Sequence, residues 1–370
     1  MNKLNLKFAV ALAFSGIALS ANAVSYTFAD LGTLGGSIST ASAINASGQV
    51  VGYAYLTGDL TKHATLWNGT IATDLGALGG IESEAKGINE SGQVVGFVRI
   101  SNSETHATLW NGGTTTTLYA LGGTSSALAI NTSGRVVGNS KKTNNPYDDS
   151  GYAVRWDDTD AAPYALDTLG GHADSAVAIN ASGQVVGTST LSDYTYHATL
   201  WNGSSATDLG TLGGSWSRAS AINAHGQIVG IATTSNDEQH ATLWNGNTVI
   251  DLGAGEARAI NTFGQIVGIT RPTSNLIETH ATLWNGTTAI DLNSLLDAST
   301  VAAGWVLTDA NGINDNGWIV GNATNNSLGI FRHAFLLSVT TVPEPETYAM
   351  LMMGLGLVGF MARIRSNKLA

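Results

Sequence analysis

The chain of 370 residues contains 45 glycines and no cysteine, and only 12% of its residues are charged. Apolar residues make up 43%, enough to build a buried core, so a disordered chain and a disulfide-stapled fold are both excluded. The formal net charge of −11 argues against nucleic acid or an anionic membrane surface as a partner, because both require a basic face.

The first 23 residues have the pattern of a secretory signal peptide. Lys3 and Lys7 supply the positive start, residues 8–19 are apolar, and Ala21 and Ala23 form a small-x-small cleavage site. Signal peptidase would therefore cut after Ala23 and leave Val24 as the first residue of the mature protein. The alternative, a membrane anchor, needs about 20 apolar residues, and this run is shorter.

One phrase then recurs seven times: D-L-G-T-L-G-G, A-x-A-I-N, a short turn, G-Q-V-V-G, a variable stretch and H-A-T-L-W-N-G. A period of this length is typical of solenoids, propellers and repeat arrays. The A-I-N asparagines lie 38 to 53 residues apart, at Asn45, Asn89, Asn131, Asn180, Asn223, Asn261 and Asn314.

The first repeat illustrates the strands that this phrase predicts. Residues 41–45, 49–55, 63–67 and 71–75 are Val-rich or alternating segments separated by turn residues. Asn68-Gly69, between the last two segments, is a strong hairpin signal. Four strands in about 43 residues match one blade of a β-propeller.

The two ends of the array predict how it closes. A lone fourth strand at residues 26–31 precedes the first repeat, and the last repeat has no fourth strand after residues 333–337. Pairing the surplus strand with the incomplete repeat would leave no open sheet edge, whereas a linear solenoid would need caps. The sequence therefore predicts an all-β fold over residues 24–342: a seven-bladed β-propeller of four-stranded blades, in which the N-terminal strand completes the last blade.

The repeats resemble the HAF-repeat family of predicted extracellular bacterial proteins, whose phrase stands here as His333-Ala334-Phe335. In most other repeats the phrase reads His-Ala-Thr, and in one it reads Tyr152-Ala153-Val154. The resemblance implies an extracellular location and no particular activity.

Three residue types recur at fixed positions and are interpreted as structural. Each histidine would hydrogen bond to a neighbouring turn, because equivalent positions in a ring of blades lie too far apart to share one metal ion. The D-L-G aspartates would accept backbone N–H groups, and the tryptophans would pack between blades. The positions are His63, His106, His197, His240, His280 and His333; Asp30, Asp74, Asp208, Asp251 and Asp291; and Trp67, Trp110, Trp156, Trp201, Trp244 and Trp284.

Loop length predicts which face carries function. The first-to-second and third-to-fourth turns are tight, whereas the second-to-third loops vary and lie on the other face, where binding residues are expected. The distinctive loops are residues 53–62, 139–151, 188–196 and 269–279. Their candidate residues for stacking on sugars or binding another ligand are Tyr53, Tyr55, Tyr147, Asp148, Asp149, Tyr194 and Tyr196.

The sequence contains no G-x-S-x-G elbow, no H-E-x-x-H, no phosphate loop and no cysteine nucleophile. We therefore predict no enzyme, although paired carboxylates from distant repeats would be compatible with glycoside cleavage. No metal or other cofactor is predicted. Calcium at the acidic run 157–160 is the one candidate, and this run lacks the glycine and the terminal glutamate of a calcium loop.

The last 28 residues have three parts: Pro343, Glu344 and Pro345, then the apolar segment 348–362, then a basic end at residues 363–368. This order resembles the PEP-CTERM sorting signal of Gram-negative bacteria. The resemblance implies handling by an exosortase, transient membrane association through the apolar segment, and release to the outside. The alternative is a plain membrane anchor, for which 15 apolar residues are few.

Removing both ends takes away five of the 16 Lys and Arg and two of the 27 Asp and Glu, so residues 24–342 carry a net charge of −14. We predict an exported, exosortase-processed cell-surface or biofilm-matrix protein that binds exopolysaccharide or another surface component without catalysis. Two alternatives stay open: a polysaccharide hydrolase or lyase on the variable-loop face, and a structural matrix protein without a ligand.

Overall fold

A computed structural model describes residues 24–143, 151–271 and 279–341. Within these ranges the chain forms 27 strands, one five-residue helix, α1 (Ala298–Ala302), and short 3₁₀ turns at Leu292–Leu295 and Asn326–Leu328. The all-β class is therefore confirmed. Tyr26–Val339 form one compact unit. A second unit, Met1–Ser25 with Thr340–Ala370, lies almost wholly outside the described residues, as do the predicted signal peptide and sorting tail.

The strands follow one another in groups, which we number as repeats 1 to 7 after the A-I-N phrase that each carries. The first strand, β1, is Val24–Asp30. Repeat 1 contains β2 (Gly35–Ile44), β3 (Gln49–Leu56), β4 (Lys62–Asn68) and β5 (Ile71–Asp74). Repeat 2 contains β6 (Glu82–Ile88), β7 (Val94–Ser101), β8 (Glu104–Asn111) and β9 (Thr114–Thr117). Repeat 3 contains β10 (Ser125–Ile130), β11 (Val136–Ser140), β12 (Tyr152–Trp156) and β13 (Tyr164–Ala165).

The second half of the chain continues the same pattern. Repeat 4 contains β14 (Ser175–Ile179), β15 (Val185–Thr190), β16 (Tyr196–Asn202) and β17 (Ser205–Asp208). Repeat 5 contains β18 (Gly213–Ile222), β19 (Ile228–Thr234), β20 (Gln239–Asn245) and the first part of β21 (Thr248–Ile260). Repeat 6 contains the second part of β21, β22 (Ile266–Thr270), β23 (His280–Asn285) and β24 (Thr288–Asp291). Repeat 7 contains β25 (Trp305–Ile313), β26 (Ile319–Asn325) and β27 (Ile330–Thr341).

Within each repeat the strands pair antiparallel in chain order. The 13-residue β21 serves two repeats, since its first part pairs with β20 and its second part with β22. Repeat 7 supplies only three consecutive strands, and β1 pairs with the third of them, β27. The Leu31 amide extends this contact by donating to the Ala334 carbonyl oxygen at 2.9 Å. The N-terminal strand therefore lies beside the repeat that lacks a fourth strand.

The four strands predicted for repeat 1 are confirmed to within a few residues, except that β2 begins at Gly35 rather than at residue 41. The added segment has no apolar alternation to reveal it. It is held instead by hydrogen bonds to the second-to-third loop, such as the one from the Ser37 amide to Asp59 Oδ1 at 2.7 Å.

The last glycine of G-Q-V-V-G allows the first and second strands to approach closely. In repeat 4, Gly187 lies opposite Ala176, and a Cβ atom added there would clash with the Ser175 carbonyl oxygen. Any other residue would therefore push the two strands apart. The same clash would arise at Gly52, Gly96, Gly138, Gly230, Gly268 and Gly321.

The A-I-N asparagines form a cycle of hydrogen bonds between repeats. Each is buried, and each donates from Nδ2 to the backbone carbonyl of the next asparagine at 3.0–3.2 Å. Asn314 in turn donates to the Asn45 carbonyl at 3.0 Å, which joins the last repeat to the first. Each Oδ1 accepts the amide four residues later at 2.9–3.0 Å, so the same side chain also fixes the turn that follows it.

The six recurring tryptophans pack between repeats, as predicted. Trp201 of repeat 4, for example, is fully buried against Val137 and Ala153 of repeat 3. Every hydrophobic cluster in the described ranges likewise combines side chains from two consecutive repeats, and one of them unites repeat 7 with repeat 1. The core is thus distributed over the boundaries between repeats.

The recurring histidines bind a side chain, not the neighbouring turn that the sequence predicted. Five of them hold the D-L-G aspartate through Nδ1, and these carboxylates also accept a backbone N–H two residues later, as predicted for the aspartates. In repeat 2, which has no aspartate at this place, His106 pairs with Glu104 at 2.9 Å. The five pairs, 2.7–3.0 Å apart, are His63–Asp74, His197–Asp208, His240–Asp251, His280–Asp291 and His333–Asp30.

Candidate ligand-binding crevice

Tyr53 and Tyr55, two of the candidate tyrosines, are half-buried on β3. Their ring centroids lie 6.3 Å apart, and Lys62 Nζ lies 4.6 Å from the centre of the Tyr53 ring. Lys62 also pairs with Glu84 of repeat 2 at 2.6 Å, so this group lies at the boundary between two repeats. These two rings are therefore only partly accessible to a ligand.

Tyr194 and Tyr196, the other two candidate tyrosines among the described residues, are exposed. Tyr194 is 77% exposed in the second-to-third loop of repeat 4, with φ of +68°, and Tyr196 is 50% exposed at the start of β16. The other candidates, Tyr147, Asp148 and Asp149, lie outside the described residues, and so do the processing residues Ala21, Ala23, Pro343, Glu344 and Pro345.

A crevice of about 420 Å³ opens beside Tyr196, at the boundary between repeats 4 and 5. Sites for small molecules are commonly about 300–1,000 Å³. Because Tyr196 directly follows a second-to-third loop, the crevice lies at the end of the repeats where the sequence predicts function. The lining side chains that matter below are Asp174, Ser175, Thr188 and Tyr196 of repeat 4, and Trp216 and Arg218 of repeat 5.

The crevice is open because Thr188 is small. Thr188 follows the close-approach glycine of its second strand, and four other repeats have a large side chain at that place: Tyr53, Phe97, Ile231 and Ile269. The two isoleucines are each only 2% exposed. Thr188 leaves that volume unfilled, and its Oγ1 has no hydrogen-bond partner in the described part of the chain.

Both backbone edges of the crevice are held by threonine hydroxyls. The Trp216 amide donates to Thr233 Oγ1 at 3.0 Å, and that hydroxyl donates back to the Trp216 carbonyl at 3.0 Å. Thr190 holds Ala173 in the same way, at 2.9 and 3.2 Å. The segments that carry the lining side chains are therefore fixed before any ligand arrives, which lowers the entropy cost of binding.

Arg218 is the cationic side chain of the crevice, and its charge is already paired. Its Nη2 donates to Glu256 Oε1 of repeat 6 at 2.7 Å. Glu256 also lies 3.5 Å from Arg258, which pairs with Asp309 of repeat 7 at 2.7 Å. Two arginines and two carboxylates thus form one balanced chain across three repeats.

Asp174 stands where repeats 1, 2, 3 and 5 have serine. In those repeats the serine hydroxyl accepts the amide of an alanine in the preceding repeat, as Ser217 does from Ala198 at 2.9 Å. Asp174 is only 5% exposed, and its Oδ1 accepts the Thr190 amide at 3.2 Å. Its Oδ2 has no hydrogen-bond partner within the described ranges.

Burial raises the pKa of the Asp174 carboxyl, because the charged form loses its hydration. The Ser189 hydroxyl, the Thr190 amide and His172 lower this pKa without cancelling the effect of burial. A buried acid of this kind destabilises the fold when it ionises, so its presence beside an open crevice is consistent with a local functional requirement.

Sequence reasoning found Tyr196 but missed Asp174, Thr188, Trp216 and Arg218. Each of them departs from what the repeats share: an acid in place of serine, a small residue in place of a large one, and a Trp-Ser-Arg segment found in no other repeat. Comparing the repeats with one another, rather than searching for catalytic motifs, would have revealed them.

Crevices also open at the other end of the repeats, where the tight turns lie. One of about 590 Å³ lies between repeats 1 and 2 and includes Trp110, whose Nε1 has no partner in the described residues. Another of about 610 Å³ lies between repeats 5 and 6 beside Phe263, which is 74% exposed. Neither is lined by an aromatic ring on each wall together with a lysine or an arginine.

The recurring histidines and Asp157 of the acidic run, which were considered for metal binding, have other partners. Asp157 of the acidic run accepts from Arg155 at 2.8 Å and lies 3.2 Å from Arg135. Within residues 24–143, 151–271 and 279–341 there is no cluster of three or more His, Asp or Glu side chains arranged to hold a metal ion. In the same ranges no helix is long and apolar enough to cross a membrane, and the apolar segment 348–362 lies outside them.

Residues 341–366 match the family model of the PEP-CTERM protein-sorting motif. This motif marks an exported substrate of exosortase processing and indicates a cell-surface or extracellular location in a Gram-negative bacterium. The matched residues do not include the repeats, so the resemblance of the repeats to the HAF family stays a prediction. No curated protein shows a significant sequence match.

Several solved structures are similar to the chain at low sequence identity. TolB from Acinetobacter baumannii aligns with a TM-score of 0.46 and 11% identity over 79% of this chain, which spans 64% of TolB. The Aleuria aurantia lectin, described as a six-bladed β-propeller with a fucose recognition mode, aligns with a TM-score of 0.39 and 12% identity over 83% of this chain and 96% of the lectin. The SapL1 lectin, solved in complex with α-methyl fucoside, aligns with a TM-score of 0.38 and 14% identity over 84% of this chain and 98% of the lectin.

The C-terminal sorting motif places the chain among exported exosortase substrates.

Proposed function

We propose that this protein is a non-catalytic carbohydrate-binding module displayed on the cell surface or in the biofilm matrix, and that the crevice between repeats 4 and 5 is its binding site. The observation that carries the proposal is the pair of rings on the two walls, Tyr196 and Trp216, beside a volume that four other repeats fill with a large side chain. One face of a sugar ring is made of C–H groups and packs on an aromatic ring, while its hydroxyl rim hydrogen bonds to polar neighbours.

The scaffold that we propose is a closed, seven-bladed propeller in which β1 completes the last blade. The asparagine cycle supports it, because a bond from Asn314 to Asn45 has no counterpart in an open array. The hydrophobic cluster that unites repeat 7 with repeat 1, where Trp67 packs against Leu336, supports it as well. A closed ring holds the walls of the crevice at a fixed separation, as a binding site without moving parts requires.

The number of carboxyl groups in the crevice supports binding rather than cleavage of a polysaccharide. Glycoside hydrolysis commonly uses two carboxyl groups, one on each side of the scissile bond. Asp174 is the one carboxyl among the described residues that line the crevice, and it is buried. Glu256, which does not line the crevice but binds its arginine, is paired with Arg218 and Arg258.

The sorting motif supports the proposed setting. An exosortase would release the protein from the membrane near Pro343 after signal peptidase has removed residues 1–23, and exopolysaccharide is the carbohydrate that such a protein meets outside the cell. The negative charge of residues 24–342 disfavours adhesion to anionic membrane and to nucleic acid, which leaves the crevice as the proposed point of attachment.

The test is a saturation binding experiment on exopolysaccharide from the producing bacterium, with protein released by cells that express the full chain and the exosortase. We expect saturable binding without release of sugar into the supernatant, and at least about tenfold weaker binding by Tyr196→Ala and by Trp216→Ala. Tyr164→Ala is the matched control, because Tyr164 is similarly exposed (58%) and lies away from the crevice on β13.

Two results would overturn the proposal. Reducing ends or unsaturated products in the supernatant would make the protein a hydrolase or lyase. The absence of saturable binding in the presence and absence of calcium would leave a structural matrix protein without a ligand.

A further inference from the structure

The charges around the crevice carry information about the ligand. This inference rests on the proposed function, and it concerns which class of sugar the site accepts. Extracellular polysaccharides contain neutral sugars, with hydroxyl groups alone, and acidic sugars, with an additional carboxylate. A site selects between these classes through the charge that it can offer a carboxylate.

The positive charge of Arg218 is already neutralised by a carboxylate of the protein. The Arg218 guanidinium already binds Glu256 at 2.7 Å, and Glu256, Arg258 and Asp309 continue a chain in which the charges balance. A second carboxylate placed against Arg218 would have to compete with Glu256 for the same cation. It would also lose its hydration without gaining an unpaired partner.

Asp174 also disfavours a carboxylated ligand. It lines the same crevice, is 5% exposed and forms no ion pair with a lysine or an arginine within the described ranges. Whenever it is ionised, it repels a carboxylated sugar in the crevice. The net charge of −14 on residues 24–342 opposes an acidic polymer at longer range.

Neutral hydroxyl groups, by contrast, find suitable partners. The Nε and Nη1 groups of Arg218 make no hydrogen bond within the described residues, and half of its side chain is exposed. The hydroxyl groups of Tyr196 and Ser175 can both donate and accept. A sugar hydroxyl also donates and accepts, so it can use these groups without bringing a charge into the crevice.

We propose that the crevice between repeats 4 and 5 selects a neutral pyranose residue over a uronic acid, and that the pairing of Arg218 with Glu256 sets this selectivity. Glu256 acts on selectivity through Arg218, because it does not itself line the crevice. Removing its charge would leave Arg218 and Arg258 with one surplus positive charge and would shift the preference toward carboxylated sugars.

The experiment is competition for bound exopolysaccharide by methyl glycosides, again with protein released from cells expressing the full chain. The neutral probes are the methyl glycosides of glucose, galactose, mannose and fucose, and the acidic probes are those of glucuronic and galacturonic acid. We expect the best neutral probe to compete at least about tenfold better than either uronate. Glu256→Gln should move this ratio several-fold toward the uronates, whereas Glu104→Gln, far away in repeat 2, should not change it.

The outcomes separate this inference from the proposed function. Binding of exopolysaccharide that uronates displace as well as neutral glycosides do would refute the inference and leave the binding function intact. An unchanged ratio in Glu256→Gln would refute the role of the ion pair. The absence of any binding would refute the proposed function itself. Because the Glu256→Gln readout is a gain of uronate competition, a misfolded variant cannot produce it.

Discussion

Removing the side chain of one asparagine in the inter-repeat cycle should destabilise the whole compact unit Tyr26–Val339. Asn131 is buried; it donates to the Asn180 carbonyl at 3.2 Å and accepts the amides of Arg135 and Ser133, which are partly buried, at 3.0 and 3.1 Å. Asn131→Ala would leave the Ser133 and Arg135 amides without this partner, and it would remove one of the two hydrogen bonds of the Asn180 carbonyl, which keeps the bond from the Gly183 amide at 3.0 Å. Since a buried unsatisfied group costs about 1–3 kcal/mol, we expect a loss of about 3 kcal/mol in unfolding free energy.

This loss converts into a measurable melting shift. Unfolding entropy is about 2 cal/mol/K per residue, so for the body Tyr26–Val339 a loss of 3 kcal/mol lowers Tm by about 4–5 °C. Differential scanning calorimetry would measure it. Asn236→Ala is the control, because Asn236 lies in an exposed loop and its side chain makes no hydrogen bond to any described residue; this variant should stay within about 0.5 kcal/mol of wild type.

The same substitution at Asn314 tests closure. Asn314 matches Asn131 closely: it too lacks the glutamine that most repeats have four residues later, and it accepts two amides at 3.0 Å. Its Nδ2 bond, however, runs to Asn45 in the first repeat. In a closed ring Asn314→Ala should cost as much as Asn131→Ala. A loss smaller than that of Asn131→Ala by about 1 kcal/mol or more, the contribution of one hydrogen bond, would show that the closing bond is absent and would refute the closed ring.

Three further predictions concern single positions. Asp174→Ser should raise Tm at neutral pH by removing a buried charge. Burial raises the pKa of Asp174 in the folded state, so the wild type should lose stability relative to the variant as pH rises through that pKa. Below the pKa of Asp174 in the unfolded state, the difference in Tm should shrink. His240→Gln and Asp251→Asn should show a coupling of about 0.5–1 kcal/mol in a double-mutant cycle by denaturant unfolding, since the pair is partly exposed. Gly187→Ala should cost more than about 3 kcal/mol or prevent folding, as judged by circular dichroism, because its Cβ would clash with the Ser175 carbonyl.

Much of the fold could be predicted from the sequence because the same pattern of strands and turns occurs in it seven times. Valine-rich alternation, Asn-Gly turns and the surplus strand at the start predicted the strand order and the place of β1 beside β27. What could not be predicted was the partner of each recurring polar side chain. The bond from His240 to Asp251, for example, crosses from β20 to β21, and a sequence pattern does not state cross-strand register.

The candidate site was harder to predict for a different reason. Recurring residues describe what the repeats share, whereas the crevice depends on residues that occur once. Thr188 opens it by being small, and no local motif indicates an unfilled volume. Trp216 and Arg218 lie on a first strand, away from the variable loops where functional residues were expected, and they reach the site only because repeats 4 and 5 pack together.

Filling the crevice tests the central claim most directly. Thr188→Phe introduces the side chain that repeat 2 has at the equivalent position, Phe97, into a volume of about 420 Å³. We predict that saturable binding to exopolysaccharide disappears in this variant while its Tm stays within a few degrees of wild type. A Thr188→Phe protein that folds normally and binds exopolysaccharide as tightly as wild type would show that the crevice between repeats 4 and 5 is not the binding site.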